Sequence, residues 1–177
     1  MARYVEGDRR SFAQLFARWA PRLHGYFLRA GGSRGEADDL LQATFLRVHR
    51  ARESFRGELG LRGWLFTIAA RVRKDEVNRR LRNPSGADPA AAEEIAAPAE
   101  EDPAVANERA QAVRAALARL PEAQREVIYL HRYEHMRFGE IAAVLGISEG
   151  AVKLRAFRGY ERLRIDLAAF FAEDQAA

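Results

Sequence analysis

The 177-residue chain contains no cysteine, which excludes disulfides, thiolate metal sites and thiol nucleophiles, and fits a protein of a reducing compartment. Lysine is nearly absent as well. Lys74 and Lys153 are the only two, so 27 of the 29 cations are arginine, whose planar fork suits phosphate and guanine; a GC-rich genome gives the same bias. No apolar run approaches the ~20 residues that a membrane span needs, and the N-terminus, MARYVEGDRR, has no apolar signal core. The expectation is therefore a cytoplasmic protein with no membrane span. Also missing are a phosphate-cradling glycine loop, a nucleophile elbow and any strand-rich scaffold. His131 and His135 are four apart on one helix, but Arg132 follows the first where a metalloprotease motif needs glutamate, and no third ligand is evident. No catalytic residue, metal or cofactor is expected.

What is present is charge in blocks. Residues 1–82 hold 18 basic and 9 acidic side chains, residues 83–104 hold six acids and no base, and residues 105–177 hold 11 bases and 10 acids. A basic block ahead of an acidic strip points to an N-terminal half that meets a polyanion. The strip, NPSGADPAAAEEIAAPAEEDPA, is Pro-, Ala- and acid-rich with almost no large apolar side chain, and reads as a flexible linker. The expected fold is all-α: two small helical domains, 1–82 and 105–177, held apart by an acidic linker over 83–104.

The C-terminal stretch Phe138–Leu163 reads as two helices around a tight turn. Ile141, Ala142 and Leu145 give an apolar face, Gly146 ends the first helix, and Ser148 followed by Glu149 starts the second. In the second helix Val152, Ala156, Gly159 and Leu163 fall on one side, and Gly150, Lys153, Leu154, Phe157 and Arg158 on the other. Apolar groups standing between cations suit a helix in a major groove, where cations meet phosphates or guanine edges and apolar groups meet thymine methyls. The bland alternative is a helical hairpin with a wet charged surface. Ahead of it, Val113, Ala116, Leu117 and Leu120 mark a helix ending at Pro121, and Val127, Ile128 and Leu130 mark another.

In the N-terminal half, residues 8–30 carry Phe12, Leu15, Phe16, Trp19, Leu23, Tyr26 and Phe27 at helical spacing, with Pro21 expected to break or kink the helix near Ala20. Gly31 and Gly32 close it. A second helix, Glu36 to about Glu53, turns Leu40, Leu41, Phe45 and Val48 inward and Asp38, Asp39 and Gln42 outward; with Phe45 and His49 these form a mixed strip that either caps the helix electrostatically or docks on a protein. After the turn Phe55–Leu61, a third helix from Arg62 to Arg82 buries Trp64, Leu65, Ile68 and Val72 and studs its surface with Arg71, Lys74, Asn78, Arg79 and Arg82, a candidate surface for a nucleic-acid backbone.

Together these stretches resemble the extracytoplasmic-function (ECF) group of bacterial RNA polymerase sigma factors. Asp39, Leu40, Gln42 and Phe45 match the family's D-L-x-Q-x-x-F core, and Trp64, Leu65, Ile68 and Ala69 match its W-L-x-x-I-A. The segment from Leu120 carries the L-P-x-x-x-R-E-V opening, E-I-A and L-G-I-S-E-G-x-V-K of the C-terminal conserved region. The resemblance implies a factor that catalyses nothing, binds core RNA polymerase at the β′ clamp helices and β flap, and directs promoter-specific initiation. It implies clamp docking by Asp39, Gln42 and Phe45; −10 promoter recognition by Phe55, Arg56, Arg71, Lys74 and Asn78; and −35 recognition by Lys153, Leu154, Phe157 and Arg158, with Arg155 on phosphate. It also implies a linker in the RNA exit channel. Ala43 departs from the acid usual after the core glutamine, and Leu154 from a small polar residue. With no further sensing domain in the chain, an anti-sigma factor is the expected regulator. A stand-alone operator-binding regulator or a protein-binding adaptor remain the rival uses of the same helices.

Overall fold

A computed structural model of the chain describes residues 8–30, 33–82 and 103–174, less the side chains of 9, 103–107 and 169–174. Seven α-helices and one short 3₁₀ turn make up the described residues, with no strand among them: α1 Arg9–Arg29, α2 Arg34–Ala51, the turn Arg52–Ser54, α3 Gly60–Arg82, α4 Pro103–Arg119, α5 Glu122–Arg132, α6 Phe138–Leu145 and α7 Glu149–Asp174. Residues 83–102 of the acidic strip, Gly31 and Gly32 lie outside the described residues.

Helix α1 starts at Asp8, whose carboxylate accepts from the Arg10 amide at 2.9 Å and the Ser11 hydroxyl at 2.8 Å. Against expectation, α1 runs unbroken through Pro21. Pro21 and Ala17, whose carbonyl loses its partner there, both lie on the exposed side, where the missing hydrogen bond costs least, while Trp19, Leu23 and Phe27 hold the helix down by burial. Helix α2 opens with a reciprocal cap: the Ser33 amide donates to Glu36 at 2.7 Å and the Glu36 amide to the Ser33 hydroxyl at 3.3 Å. That cap starts the helix two residues before the expected Glu36.

Helices α1, α2 and α3 enclose Leu23, Phe27, Leu40, Phe45, Val48, Leu65, Ile68 and Val72. Each such side chain contributes about 1.5–3 kcal/mol by leaving water. The α2–α3 connection turns at Gly57 (φ 77°) and Gly60 (φ 62°), the left-handed region that only glycine enters freely.

Helices α4 to α7 form the second half. Leu120, Val127, Leu130, Ile141, Val144, Val152 and Ala156 are buried there, and α6 ends at Gly146 with φ 65° as the sequence requires. The second helix of the hairpin, α7, extends well past the expected DNA-reading turns, and Arg119 of α4 ties to Asp166 of α7 at 3.1 Å.

The two halves are not held apart. Helix α3 packs along α6 and α1 touches α5, so one buried core runs through both halves. Tyr26, packed edge-to-face on Phe66 within the first half, meets Tyr129 from the second, the two tyrosine rings lying 5.6 Å apart. The reason escaped a reading by composition. Tyr26 sits within the helical apolar stripe of α1, but it faces the other half of the chain.

Candidate nucleic-acid interface

Helix α7 begins at Ser148, whose hydroxyl accepts from the Ala151 amide at 3.2 Å. This cap fixes the rotation of the helix. Val152 and Ala156 point into the core, and Lys153, Leu154, Phe157 and Arg158 point out, with Leu154 49% and Phe157 65% exposed. Lys153 pairs with Glu149 one turn back at 2.7 Å, an exposed contact of the kind that contributes little to stability. Arg155 is half-buried at the flank of this face. All five residues named from the sequence are thus brought together, four outward and one to the side.

On α3, Arg71, Lys74 and Asn78 are exposed and recur at three- and four-residue steps, so they share one face. Trp64 lies seven residues before Arg71 on that face and is half-buried rather than fully inward. Phe55 of the preceding turn packs on it edge-to-face, with ring centroids 5.2 Å apart. Phe55 therefore joins the α3 stripe through Trp64, and the exposed Arg56, which donates to the Glu53 carbonyl at 3.0 Å, stands beside it. At the end of α3, Glu76 accepts from Arg79 at 2.7 and 2.8 Å and from Arg80 at 2.9 Å; those hydrogen bonds, Arg79 first, hold its carboxyl down at about 2. Glu76 thus keeps two arginines of a highly basic helix end in fixed positions. Arg80 also reaches Glu36 on α2 at 2.7 Å.

The third candidate surface is a groove of about 660 Å³ between α1 and α2, lined by Phe12, Phe16, Leu41, Phe45 and Leu46 and rimmed by Asp8, Asp38, Gln42, His49 and Arg52. Gln42 is exposed at the rim. Phe45 is buried and forms the floor, with Phe16 4.6 Å and Phe12 6.1 Å from its ring. Asp39 is exposed on α2 but does not line the groove. Sequence reading missed Phe16 and Leu46, which are 42% and 54% exposed. Phe16 fits the apolar stripe of α1 and so passes for core; Leu46, one residue after Phe45, lies off the inward stripe of α2, and that offset was the available signal. Of the two histidines on and after α5, His131 Nδ1 donates to the Met136 carbonyl at 2.9 Å, while His135 is exposed with φ 51°.

Two outward-facing basic helix faces and an apolar groove are carried on an all-α scaffold with a helix-turn-helix, the architecture of a DNA-binding transcription initiation factor of the sigma-70 type. Residues 15–83 match the family described as Sigma-70 region 2, and residues 110–163 the one described as Sigma-70, region 4. The chain is 39% identical over 166 residues to RNA polymerase sigma factor CarQ of Myxococcus xanthus, covering 93% of each. It is 34% identical to the ECF RNA polymerase sigma factor SigM of Mycobacterium tuberculosis, covering 92% of this chain and 80% of that one. Among solved structures it resembles the sigma factor RpoE in complex with the anti-sigma factor NepR from Bartonella quintana (TM-score 0.73, 25% identity, 89% of this chain and 97% of that one). It also resembles CnrH in complex with the cytosolic domain of CnrY (TM-score 0.68, 29% identity, 95% of this chain and 94% of that one). The chain belongs to the ECF sigma factors. It binds core RNA polymerase and directs promoter-specific transcription initiation through −10 and −35 recognition. Among the described residues no helix is long and apolar enough to cross a membrane.

Proposed function

We propose a division of labour along the chain. Residues 1–82 dock on core polymerase and read the −10 element, residues 83–104 link, and residues 105–177 read the −35 element. Core docking uses the α1–α2 groove and its surroundings: Asp39 and Gln42 as exposed polar contacts, Phe45 as the floor, and Phe16 and Leu46 as the apolar walls that a helix of the β′ clamp covers. The −10 element meets Phe55, Arg56, Arg71, Lys74 and Asn78. In the −35 major groove Lys153 and Arg158 meet phosphate or guanine, Leu154 and Phe157 meet thymine methyls, and Arg155 meets phosphate. The factor performs no catalysis and needs no cofactor or metal; it contributes binding energy at two DNA elements. It acts in the cytoplasm, and a protein of the anti-sigma type restrains it, a reading supported by the similar RpoE structure, which is in complex with the anti-sigma factor NepR.

The observation that supports this reading best is the outward face of α7. Two large apolar side chains stand in solvent between two cations, in a helix whose opposite side is fully committed to the core. The test is run-off transcription with sigma-free core polymerase over a library of genomic promoters, beside the variants Lys153→Ala and Arg158→Ala. Promoter-dependent transcripts that weaken in both variants are expected. Absence of transcripts together with absence of core binding sinks the proposal.

A further inference from the structure

Several charge pairs between helices are part of the packing of this molecule. Arg73 of α3 reaches Glu126 of α5 at 2.7 Å, and the buried Tyr26 hydroxyl of α1 donates to the same carboxylate. The pair of Glu149 and Lys153 is of another kind. Both side chains belong to α7, and both are more than half exposed, at 51% and 61%. An exposed pair four residues apart on one helix adds little to stability, so packing does not account for it.

The place of Glu149 on the helix does account for it. Glu149 is the first residue of α7, and in a helix-turn-helix the N-terminal residues of the second helix are the ones that meet base edges. Its two carboxylate oxygens face different ways. Oε1 lies 2.7 Å from Lys153 Nζ. Oε2 lies against Gly139 in the first turn of α6, where a Cβ added to that glycine would stand 3.3 Å away. The carboxylate thus sits where both helices of the hairpin begin, on the flank of α7 that carries Lys153. Among Lys153, Arg155 and Arg158 an acid is a liability for plain DNA binding, because it neutralises a cation and repels phosphate. A glutamate in a first turn also complements the helix dipole, but that role requires neither the pairing with Lys153 nor the reach to α6.

We propose that Glu149 is a specificity-determining residue of the −35 face and that its ligand is the amino group of a cytosine, an assignment that rests on the proposed reading of the −35 element by α7. On DNA that offers the carboxylate no donor, Glu149 keeps Lys153 neutralised and stands as an unpaired anion among acceptor edges. Where a cytosine presents its N4 amino group, the carboxylate accepts from it, and Lys153 is released to a neighbouring guanine edge or phosphate. Adenine is a poorer ligand, because its N7 acceptor lies beside its amino group, and guanine and thymine present no donor at that edge. The pair therefore weakens binding to every other sequence and spares the matching one, which is discrimination by repulsion as much as by attraction.

The test uses holoenzyme, assembled from the full chain and core polymerase, on a promoter library randomised over the −35 element, with sequencing of the DNA retained. The unaltered factor is expected to favour a G·C pair in one orientation at a single position by roughly tenfold. In Glu149→Gln, whose amide donates as well as accepts, that preference falls by about threefold or more. Binding of the same variant to a promoter with a scrambled −35 element tightens, and its salt slope steepens by about one as Lys153 becomes free for phosphate. Glu149→Asp keeps the charge but is one methylene shorter, so the preference falls while scrambled-element affinity and its salt slope stay as in the unaltered factor. Preferences at the −35 element that persist in both variants overturn the proposal and leave the −35 reading standing. A loss confined to A·T positions overturns it too, as does a shifted urea midpoint with base preference intact, which would mark Glu149 as structural. No base preference at any −35 position in the unaltered factor sinks the −35 reading and this proposal together.

Discussion

Ile128 of α5 rests directly on the backbone of Gly159 of α7: a Cβ at position 159 would stand 2.6 Å from the Ile128 Cδ1 atom. Helix α7 is thereby set against α5 with nothing between them, and its angle depends on that glycine staying bare. Gly159→Ala gains helix propensity of up to about 1 kcal/mol against a small shift of the Ile128 tip. Near-neutral stability is expected for it in urea titration. Gly159→Leu has no such compensation and is expected to cost about 1–3 kcal/mol, with weaker −35 binding because α7 tilts. Equal midpoints for the two variants would show that the crossing is loose.

On the outer face of α7, Lys153→Ala and Arg158→Ala are each expected to weaken binding to −35 duplex DNA by ~1–3 kcal/mol where the contact is to a base. Leu154→Ala should shift preference at a thymine position while leaving the salt dependence alone, since it carries no charge. The check is fluorescence anisotropy with holoenzyme at two salt concentrations. A changed salt slope for Leu154→Ala would assign that side chain no direct role in reading bases.

In the α1–α2 groove, Phe16→Asp and Leu46→Asp place a charge on walls that are already partly wet in the free protein. Thermal stability should barely move, while affinity for core polymerase falls at least tenfold, or about 1.4 kcal/mol. Phe45→Asp, by contrast, should unfold the first half, because that ring is buried beneath the same groove. Size-exclusion co-elution with core, beside melting curves, separates the two outcomes.

Acid should loosen the end of α3. The Glu76 carboxyl is held at about 2 against an ordinary 4.5 by Arg79 and Arg80. A depressed carboxylate contributes stability above its unfolded value, and that contribution disappears as pH falls from about 4.5 toward 2. Glu140 is lowered too, first by the Arg137 amide and then by Arg62, and acts in the same direction. Glu76→Gln is therefore expected to flatten the acid limb of the stability curve by lowering the neutral plateau toward the acid value, and by a small amount, since Arg79 and Arg80 lie partly in water and solvent screens the pairs. Urea midpoints measured from pH 7 to pH 3 give the comparison.

The helices and the hairpin were legible because their signals are local. Gly146, Ser148 and the apolar steps of Ile141, Ala142, Val152 and Ala156 each act within a turn or two, and the structure places them as periodicity and capping require. The outward placement of Lys153, Leu154, Phe157 and Arg158 and of Arg71, Lys74 and Asn78 was legible for the same reason. What escaped depends on distant partners. Pro21 reads as a break until the burial of Trp19 and Leu23 on the opposite side is known. Phe16 reads as core until Phe45 is seen to fill the space beneath it. Tyr26 and Glu126 are 100 residues apart, and nothing in either neighbourhood announces the other.

The scarcity of lysine acquires a use once the helices are placed. Lys74 stands on the outward stripe of α3 and Lys153 on the outward face of α7, both in solvent, and no third lysine exists. Amine-selective acylation followed by mass spectrometry therefore yields one lysine reporter for each of the two faces proposed to read DNA. The order in which the two amines become protected during assembly would tell which element is engaged first, without any substitution in the chain.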